Sequence, residues 1–323
     1  MITGVAGFAG SHLAEYLVNH TDLDVFGIVR EGGTRSNIVH LGERITILEG
    51  NVLSAEFVQS VIRGIRPDYV FHLAAQAAPA HAWSDPRKTL VDNTVGQLNV
   101  LQTIASESLA CRILVVGSGD EYGIVQLSEL PIRETNPLRP NNPYAVSKIC
   151  QDMLGLQYFI SHQLPVVRVR PFNHIGPRQT DAFVCSSFAR QVAEAELGLR
   201  EPVVKVGNLE ARRDFTDVRD MVRAYWLAIS QGVPGEVYNI GSGVAWSISD
   251  VLRSLLEKSR TKIRVEQDPL RLRPSDVPVV YCDYSRFHAR TGWMPKFPLE
   301  ESLAELLDYW RQTLERPEGD PKE

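Results

Sequence analysis

Short apolar runs alternate along the chain with longer segments in which apolar residues recur at helical spacing. The strand-like runs lie at residues 24–29, 45–49, 69–73, 113–117, 166–170 and 237–240. Strands that alternate with helices predict a parallel sheet that is covered by helices on both faces. The pattern therefore predicts an α/β fold built on a Rossmann-type, doubly wound parallel sheet.

The alternation becomes irregular after Arg170, where proline and glycine interrupt it repeatedly as far as Gly207. Helical periodicity returns over 217–229, and a second irregular block at 267–278 precedes a predicted helix at 300–314. These changes predict that the chain leaves the main sheet, returns to it, and leaves it again.

We therefore predict a dinucleotide-binding domain of residues 1–171, to which residues 213–244 return. A smaller, discontinuous lobe of residues 172–212 and 245–315 is predicted to bind the substrate. The tail at 316–323 is charged and contains proline, so it is predicted to be disordered.

Composition and charge narrow the possible functions. The chain has 323 residues and a formal net charge of -5, which argues against binding to nucleic acid or to a membrane surface. It has no run of about twenty apolar residues and no signal-like N-terminus, so we expect a cytoplasmic protein. Cysteine and histidine show no metal-ligand spacing, so we expect reduced thiols and no metal. The cysteines are Cys111, Cys150, Cys185 and Cys282.

Three glycines, Gly4, Gly7 and Gly10, separate a short apolar segment from an apolar helix. Glycines at this spacing allow a tight turn, a close approach to a pyrophosphate, and close packing of helix against strand. The N–H groups at the helix start, including those of Phe8 and Ala9, are expected to face the phosphates. The segment therefore predicts a dinucleotide site.

The second predicted strand ends in Arg30, with Arg35 close behind. An acidic residue at this position would bind the ribose 2′-hydroxyl of NAD, whereas arginine suits the 2′-phosphate of NADP. We therefore favour NADP(H) as the cofactor and keep NAD(H) as a possibility, because Arg30 could also belong to a solvated basic loop.

Tyr144 and Lys148 are four residues apart and share one face of a predicted helix. An ammonium near a phenol, together with a cationic nicotinamide ring, favours the phenolate and would move its pKa from about 10 toward neutrality. The pair therefore predicts a proton donor. Taken alone, the spacing also fits a solvated lysine beside a packed tyrosine.

The chain resembles the extended short-chain dehydrogenase/reductase family over nearly all of its length. The motifs that carry the resemblance are the glycine turn, the His-Leu-Ala-Ala segment at 72–75, Ser118 after the fifth strand, and Tyr144-x-x-x-Lys148. The resemblance implies that Ser118 and Tyr144 face the reacting carbon, that Lys148 also holds the nicotinamide ribose, and that hydride moves to or from the nicotinamide. The cofactor contacts that it implies are Gly4, Gly7, Phe8, Ala9, Gly10, Arg30, Asn51, Val52, Leu73, Ala74, Ala75, Tyr144 and Lys148.

Within that family, the second half of the chain is similar to enzymes that act on GDP-linked deoxyhexoses, in segments 172–174, 206–215 and 273–277. This similarity implies a GDP-linked hexose as the substrate. The substrate contacts that it implies are Asn173, Arg213, Arg273 and Asp276. Arginine forks bind a diphosphate bidentately, although surface salt bridges with Asp214, Asp217 and Asp276 would also account for the two arginines.

The loop at 117–123 decides which reaction we expect. Dehydratases of this group carry a glutamate two residues after the serine or threonine, and it removes the C5 proton. Here that position holds Asp120, which is one methylene shorter and follows Gly119. The shorter reach disfavours elimination, whereas reduction needs no such base.

We therefore predict NADPH-dependent reduction of the C4 ketone of GDP-4-dehydro-6-deoxy-D-mannose to GDP-D-rhamnose. GDP-mannose 4,6-dehydration, alone or in a bifunctional protein, remains the alternative, because Glu121 could supply the base if the loop were shifted by one residue. A catalytically silent, cofactor-sensing protein is disfavoured because Ser118, Tyr144 and Lys148 are all present.

The family resemblance also implies a homodimer in which the helix that carries Tyr144 forms part of the contact. Apolar residues on that helix fit such an isologous contact, and they fit a buried core equally well. These residues are Met153, Leu154, Leu156, Tyr158 and Phe159.

Overall fold

The computed structural model describes residues 1–272 and 277–315. Its strands are β1 (Ile2–Thr3), β2 (Val25–Val29), β3 (Ile45–Glu49), β4 (Tyr69–His72), β5 (Arg112–Val116), β6 (Val166–Pro171), β7 (Asn173–Ile175), β8 (Val203–Val206), β9 (Arg212–Asp217), β10 (Val237–Ile240), β11 (Ala245–Ser247), β12 (Arg264–Gln267) and β13 (Val279–Val280). Its α-helices are α1 (Phe8–His20), α2 (Ala55–Ile65), α3 (Pro79–Ser84), α4 (Pro86–Ser106), α5 (Pro143–His162), α6 (Val184–Glu196), α7 (Val218–Gln231), α8 (Ile248–Glu257), α9 (Ser285–Thr291) and α10 (Leu299–Glu315).

Seven of these strands form the central sheet, in the order β10-β6-β5-β4-β1-β2-β3. Every neighbouring pair in this sheet is parallel. The order reverses at β1, from which the chain first builds outward through β2 and β3 and then returns to β4 on the other side. Doubly wound sheets bind ligands outside the carboxyl ends of their strands at such a reversal. The predicted α/β class is confirmed.

Helices cover both faces of the sheet. Helices α1 and α7 pack on one face, where Leu13 and Met221 are completely buried, and α2, α4 and α5 pack on the other, where Ile62 and Ile104 are completely buried. Strands enclosed in this way are mostly apolar on both faces, which is why they read as apolar runs in the sequence, although β6 also buries Arg168 and Arg170. The six predicted runs all lie on strands.

Helix α5 carries the predicted Tyr–Lys pair, and its start is well defined. The side chain of Asn142 accepts a hydrogen bond from the backbone N–H of Ala145, and Pro143 is the first helical residue. Both residue types favour a helix start, the first by satisfying a backbone donor and the second by presetting φ. The helix ends at Gln163, which adopts a left-handed conformation with φ 55°. The cap and the proline therefore place Tyr144 in the first turn of α5.

The remaining strands build a second, smaller layer. Strand β9 pairs with β7, β11 and β13, and β8 pairs with β12. Helices α6, α8 and α10 pack around this layer with Phe188, Leu252 and Leu306 in a core of their own. The described residues therefore form two hydrophobic cores beside the central sheet, a third in the lobe, and a small fourth cluster of Tyr122, Ile132, Phe172 and Cys282.

The division of the chain into two domains stays a prediction. Two sets of contacts join residues that were assigned to different domains. Strand β9, in the stretch that was predicted to return to the main domain, pairs with strands of the lobe. Phe287 and Trp293, in the stretch that was assigned to the lobe, pack in the core beneath α1 and α7. The predicted helix at 217–229 corresponds to α7 and that at 300–314 to α10. Residues 316–323 lie outside the described residues.

Two properties of the described residues bear on other functions. Within residues 1–272 and 277–315, no helix is long and apolar enough to cross a membrane. The same residues contain no group of three or more His, Cys, Asp or Glu side chains that could hold a metal ion. The cytoplasmic location stays a prediction.

Candidate functional site

The glycine turn between β1 and α1 leaves no space for side chains at two of its positions. Gly4 has φ +70°, and a Cβ there would lie 2.9 Å from the backbone N of Ala74. A Cβ on Gly10 would lie 2.2 Å from the carbonyl oxygen of Gly4. Backbone therefore packs directly on backbone where the turn after β1 meets the turn after β4. Gly7 caps α1 without a side-chain hydrogen bond, which leaves the first N–H groups of the helix, at Phe8 and Ala9, facing outward.

A cavity of about 350 Å³ adjoins this turn at the carboxyl ends of β1 to β4. Its lining residues are Gly4, Ile28, Arg30, Gly50, Asn51, Val52, Leu53, Ala74, Ala75, Gln76, Lys88 and Asp92. The structure thus brings together six of the predicted cofactor contacts. The other six were not predicted from the sequence, and three of them, Gln76, Lys88 and Asp92, lie in or before α4 and carry no local motif.

Arg30 and Arg35 differ in their surroundings. Arg30 follows β2 directly, is exposed, and lines the cavity. The guanidinium of Arg35 is instead paired with the carboxylate of Glu49. Of the two, Arg30 is therefore the one positioned to meet a group inside the cavity.

Thr3 holds the turn after β4 against β1. Its hydroxyl accepts hydrogen bonds from the backbone N–H groups of Leu73 and Ala74, at 3.1 and 3.0 Å, and lies 3.0 Å from Nδ1 of His72. Burial, with a smaller contribution from Lys148, lowers the pKa of His72 to about 3. His72 is therefore neutral at physiological pH, and its ring helps to fix the backbone at Leu73 to Ala75.

The predicted catalytic residues converge at the carboxyl end of β5. The hydroxyl of Ser118 lies close enough to the phenol of Tyr144 to lower its pKa. The ammonium of Lys148 lies 5.9 Å from the centre of the Tyr144 ring. It donates to the carbonyl of Val116 at 2.9 Å and to Oε1 of Gln151 at 2.8 Å. The helical spacing and the strand end thus place Ser118, Tyr144 and Lys148 in one cluster.

The predicted acidification of the phenol is not found. Burial raises the pKa of Tyr144 above its usual range, the carboxylates of Asp120 and Glu121 add to the rise, and the nearby hydroxyl of Ser118 opposes it. Burial also lowers the pKa of Lys148, to about 8. Lys148 faces the ring and is held by Val116 and Gln151, so desolvation of the phenol outweighs any attraction by the ammonium. Tyr144 is therefore a protonated phenol.

The two neighbouring acids of the loop point in different directions. A short 3₁₀ helix, Gly119–Tyr122, follows Ser118, whose hydroxyl accepts from the N–H of Asp120 at 3.1 Å. The N–H of Ser118 donates to Oε1 of Glu121 at 2.8 Å, which completes a capping box. Glu121 is completely buried, whereas Asp120 is partly exposed and acts electrostatically on the Tyr144 phenol. The structure therefore removes Glu121 from the open side of the loop.

Two of the predicted substrate contacts lie in the sheet of the lobe. Asn173 is exposed at the start of β7 and pairs in register with Phe215 of β9. Arg213 in β9 donates to the carbonyl of Val277 at 2.7 Å. Arg273 and Asp276 lie outside the described residues.

The proposed salt bridges of Arg213 with Asp214 and Asp217 compete with other partners of those acids. Asp214 accepts hydrogen bonds from the backbone N–H groups of Ser242, Gly243 and Cys282. Asp217 caps α7 and pairs with Arg219. Both carboxylates therefore hold the fold of the lobe together.

His174 connects the lobe to the glycine turn, and sequence reasoning did not assign it a role. Its ring stacks on Phe8, with centroids 5.6 Å apart and an angle of 15° between the ring planes. Its pKa is lowered, chiefly by burial and further by Lys148. A neutral ring thus lies close both to Phe8 at the start of α1 and to Lys148 of the Tyr–Lys pair. Its position directly after Asn173 in a family-like segment was the signal that could have revealed it.

A doubly wound sheet with a glycine turn, a cavity at the strand reversal, and a Ser, Tyr, Lys cluster together define an NAD(P)-dependent enzyme of the extended short-chain dehydrogenase/reductase type. The chain belongs to the family described as GDP-mannose 4,6 dehydratase, which it matches over residues 1–306.

Individual relatives agree with this family. A GDP-6-deoxy-D-mannose reductase from Pseudomonas aeruginosa is 36% identical over 309 residues, which cover 96% of each chain. A GDP-mannose 4,6-dehydratase from Yersinia enterocolitica is 27% identical over 347 residues, covering 95% of this chain and 92% of that protein. The solved structure of RMD from Pseudomonas aeruginosa complexed with NADPH is 33% identical, with a TM-score of 0.83 over 97% of this chain and 98% of that chain. The predicted family is confirmed.

Proposed function

We propose that this protein reduces the C4 ketone of GDP-4-dehydro-6-deoxy-D-mannose to the hydroxyl of GDP-D-rhamnose, with NADPH as the reductant. The observation that carries the proposal is the burial of Glu121, whose carboxylate is held by the N–H of Ser118 and lies 3.0 Å from Nε of Arg170. An acid held in this way cannot reach a C5 proton of a sugar on the open side of the loop. The identity to the Pseudomonas aeruginosa reductase supports the same choice.

The residues present fit a bound dinucleotide. The turn has no room for a Cβ at Gly4 or Gly10, so backbone can approach a pyrophosphate there. The side-chain oxygen of Gln76 is buried without a hydrogen-bond partner and lines the same cavity. Buried polar atoms are nearly always paired, so this acceptor suits a ligand that donates to it. Arg30 offers a fork for a 2′-phosphate, which favours NADP(H) over NAD(H).

Four side chains share the proton chemistry at C4. NADPH, when bound, supplies the hydride to C4. The protonated phenol of Tyr144 donates to the C4 oxygen, and the hydroxyl of Ser118 hydrogen-bonds the same oxygen. Asp120 disfavours ionisation of the resting phenol, so its proton is retained until it is needed. Lys148 lies near enough to stabilise the phenolate that remains after donation.

A dehydratase remains the second candidate, because one acid does lie near the phenol. Asp120 is partly exposed and close enough to Tyr144 to affect its ionisation. A carboxylate in that position could remove a proton from a sugar that binds unusually deep in the site. Its shorter side chain makes this reaction the weaker proposal.

Two incubations separate the candidates. With GDP-4-dehydro-6-deoxy-D-mannose and NADPH, we expect oxidation of NADPH and formation of a 4-hydroxy sugar, followed by absorbance and NMR. With GDP-mannose alone and no added NADPH, we expect no 4-keto product. Formation of that product would contradict a pure reductase.

We also propose that the enzyme is a homodimer in which α4 and α5 form the contact. Val91 and Val95 on α4 are 43% and 36% exposed, and Val146, Met153 and Ile160 on α5 are 39%, 38% and 62% exposed. The three residues of α5 recur every seventh position and therefore share one side of the helix. Tyr158, by contrast, is buried in the core, and Leu154 and Phe159 pack against that core.

Light scattering of the purified protein tests the dimer. Val95→Glu and Met153→Glu are expected to shift the mass toward that of a monomer. A monomeric wild-type protein would overturn this part of the proposal.

A further inference from the structure

The loop that carries Ser118 is joined to helix α5 by a buried chain of ionisable side chains. Oε1 of Glu121 accepts from the N–H of Ser118, and Oε2 of Glu121 lies 3.0 Å from Nε of Arg170 in β6. The same Nε of Arg170 donates to Oδ2 of Asp152 in α5, also at 3.0 Å. Glu121, Arg170 and Asp152 are each at most 4% exposed. One continuous path of polar contacts thus links a loop residue to the catalytic helix.

The chain is held at two further points. Nη1 of Arg170 donates to the hydroxyl of Tyr122 at 3.0 Å, and that hydroxyl donates to Oδ1 of Asn239 at 2.7 Å. Oδ1 of Asp152 accepts from Nη1 of Arg168 at 2.8 Å. Strands β6 and β10 therefore brace both sides of the path.

Space around Glu121 is matched to its carboxylate. A Cβ on Gly117 would lie only 2.1 Å from Oε1 of Glu121, so the end of β5 accommodates this group by having no side chain there. A Cβ on Gly119 would lie 3.1 Å from the ring of Phe172. The loop therefore packs tightly against the end of β5 and against Phe172. This packing directs the Glu121 side chain toward the interior.

Such a network is a poor source of stability. Burying ions costs free energy that their mutual attraction often fails to recover, and well-packed apolar residues commonly do as well or better. Oε2 of Glu121 makes no hydrogen bond despite its closeness to Arg170, and burial together with the nearby Asp152 carboxylate raises the pKa of Glu121. Buried polar groups of this kind are best attested as devices that fix one arrangement of the chain.

The path of contacts through Glu121 and Arg170 has one end in the loop and the other in helix α5. One end is the backbone N–H of Ser118, and the other is Asp152, eight residues beyond Tyr144 and therefore about 12 Å along the same helix. The path therefore joins the backbone beside the Ser118 hydroxyl to the helix that carries Tyr144.

We propose that Glu121 is a positioning residue, which anchors Ser118 through Arg170 and Asp152 so that its hydroxyl meets the same substrate oxygen as Tyr144. This role rests on the proposed function, because it assumes that both hydroxyls act on that oxygen. It gives the second acid of the loop a task in reduction that is distinct from general base catalysis.

Glu121→Gln tests the role, and the chain offers a matched control. Glu129 forms the same type of capping box, with the N–H of Gln126, and pairs with Arg139 on the surface. We expect Glu121→Gln to lower kcat for reduction of the 4-keto sugar by about tenfold or more, since small displacements of catalytic groups cost this much. The Kd for NADPH is expected to change by less than about twofold, because the anchor lies outside the cofactor cavity. Glu129→Gln is expected to leave both unchanged.

A double-mutant cycle separates positioning from a general structural effect. In a Ser118→Ala background, Glu121→Gln is expected to lower kcat by less than about twofold further, because its effect passes through the lost hydroxyl. Full multiplication of the two single effects would overturn the proposal. So would an unchanged kcat in Glu121→Gln that is accompanied only by a lower unfolding temperature.

Hydrogen–deuterium exchange gives a readout that needs no substrate. Exchange in the peptide that contains the Ser118 amide is expected to be faster in Glu121→Gln than in the wild type, and unchanged in Glu129→Gln. Unchanged exchange in Glu121→Gln would overturn the anchor. If the wild type fails to reduce the 4-keto sugar while exchange responds as expected, the substrate assignment fails and the anchor stands. If Glu121→Gln does not fold, Glu121→Asp, which keeps the carboxyl group but shortens the reach, replaces it in every comparison.

Discussion

The ammonium of Lys148 lies over the ring of Tyr144, 5.9 Å from its centre. It donates hydrogen bonds to the backbone carbonyl of Val116 and to Oε1 of Gln151. Because the phenol is buried, its pKa is raised, and it keeps its proton. The pair is therefore arranged to deliver a proton first and to stabilise the resulting phenolate afterwards. A phenol that ionised in the resting enzyme would be unable to act as the acid for a ketone.

Tyr144→Phe removes the transferable proton and little else. We expect it to lower kcat by about 10²-fold or more, the size usual for loss of a general acid, with the Kd for NADPH largely unchanged. Steady-state kinetics and fluorescence titration with NADPH measure the two quantities. Tyr158→Phe, on the same helix but in the hydrophobic core, is the matched control and should retain full activity. More than about a tenth of the wild-type rate in Tyr144→Phe would contradict the acid role.

The lowered pKa of Lys148, about 8, predicts a pH dependence. The side chain is charged below this pH and neutral above it, so kcat/KM for NADPH, which reports the free enzyme, should fall as pH rises through about 8. Lys148→Arg keeps its charge and should remove this decline, whatever its effect on the maximal rate. A decline that persists unchanged in Lys148→Arg would assign it to another group.

The same pKa has an opposite consequence for stability. An unfolded lysine titrates near pH 10.4, so the folded chain binds fewer protons than the unfolded chain between about pH 8 and about pH 10.4. The contribution of Lys148 to the free energy of unfolding therefore rises with pH across this window. Urea denaturation at pH 7.5 and about 9.5, compared between the wild type and Lys148→Met, measures it. Because the buried ammonium is unfavourable, Lys148→Met is expected to be more stable than the wild type at pH 7.5. This difference in the free energy of unfolding should shrink at the higher pH.

Much of the fold was predictable from the sequence because the central strands are mostly apolar on both faces. Such runs stand out without knowledge of their neighbours, and each of the six predicted ones corresponds to a strand of the central sheet. The short strands of the lobe were not foreseen. Strand β7, for example, spans only Asn173–Ile175 and pairs with β9, whose residues lie some forty positions later in the chain, so no local pattern identifies it.

The candidate site was predictable in its residue types but less so in its energetics. Helical spacing placed Tyr144 and Lys148 on one face, as the structure has them. The direction of Glu121 depended on Arg170 in a distant strand, and the protonation of Tyr144 depended on burial. Neither is encoded in the spacing of the motif, because both arise from how separate elements pack together.

Arg30 is predicted to set the choice of cofactor. Arg30→Asp should shift kcat/KM from NADPH toward NADH, since a carboxylate repels the 2′-phosphate and accepts from a free 2′-hydroxyl. The ratio of kcat/KM for the two cofactors measures the shift. Arg35→Ala, which removes a guanidinium already paired with Glu49, should change the ratio less. An unchanged ratio in Arg30→Asp would show that Arg30 lies outside the phosphate pocket.

Replacement of glycine by alanine is predicted to have opposite effects in the glycine turn and in helix α2. A Cβ on Gly10 would lie 2.2 Å from the carbonyl oxygen of Gly4 and 2.9 Å from Cα of Val5, both backbone atoms that cannot easily move. Gly10→Ala should therefore lower the free energy of unfolding by about 1–3 kcal/mol and weaken NADPH binding, because the turn must shift. A Cβ on Gly64 in α2 meets nothing within 4 Å, so Gly64→Ala should stabilise the protein by up to about 1 kcal/mol through helix propensity. Urea denaturation of both variants measures the difference, and a Gly10→Ala protein as stable as the wild type would show that the turn is looser than its contacts indicate.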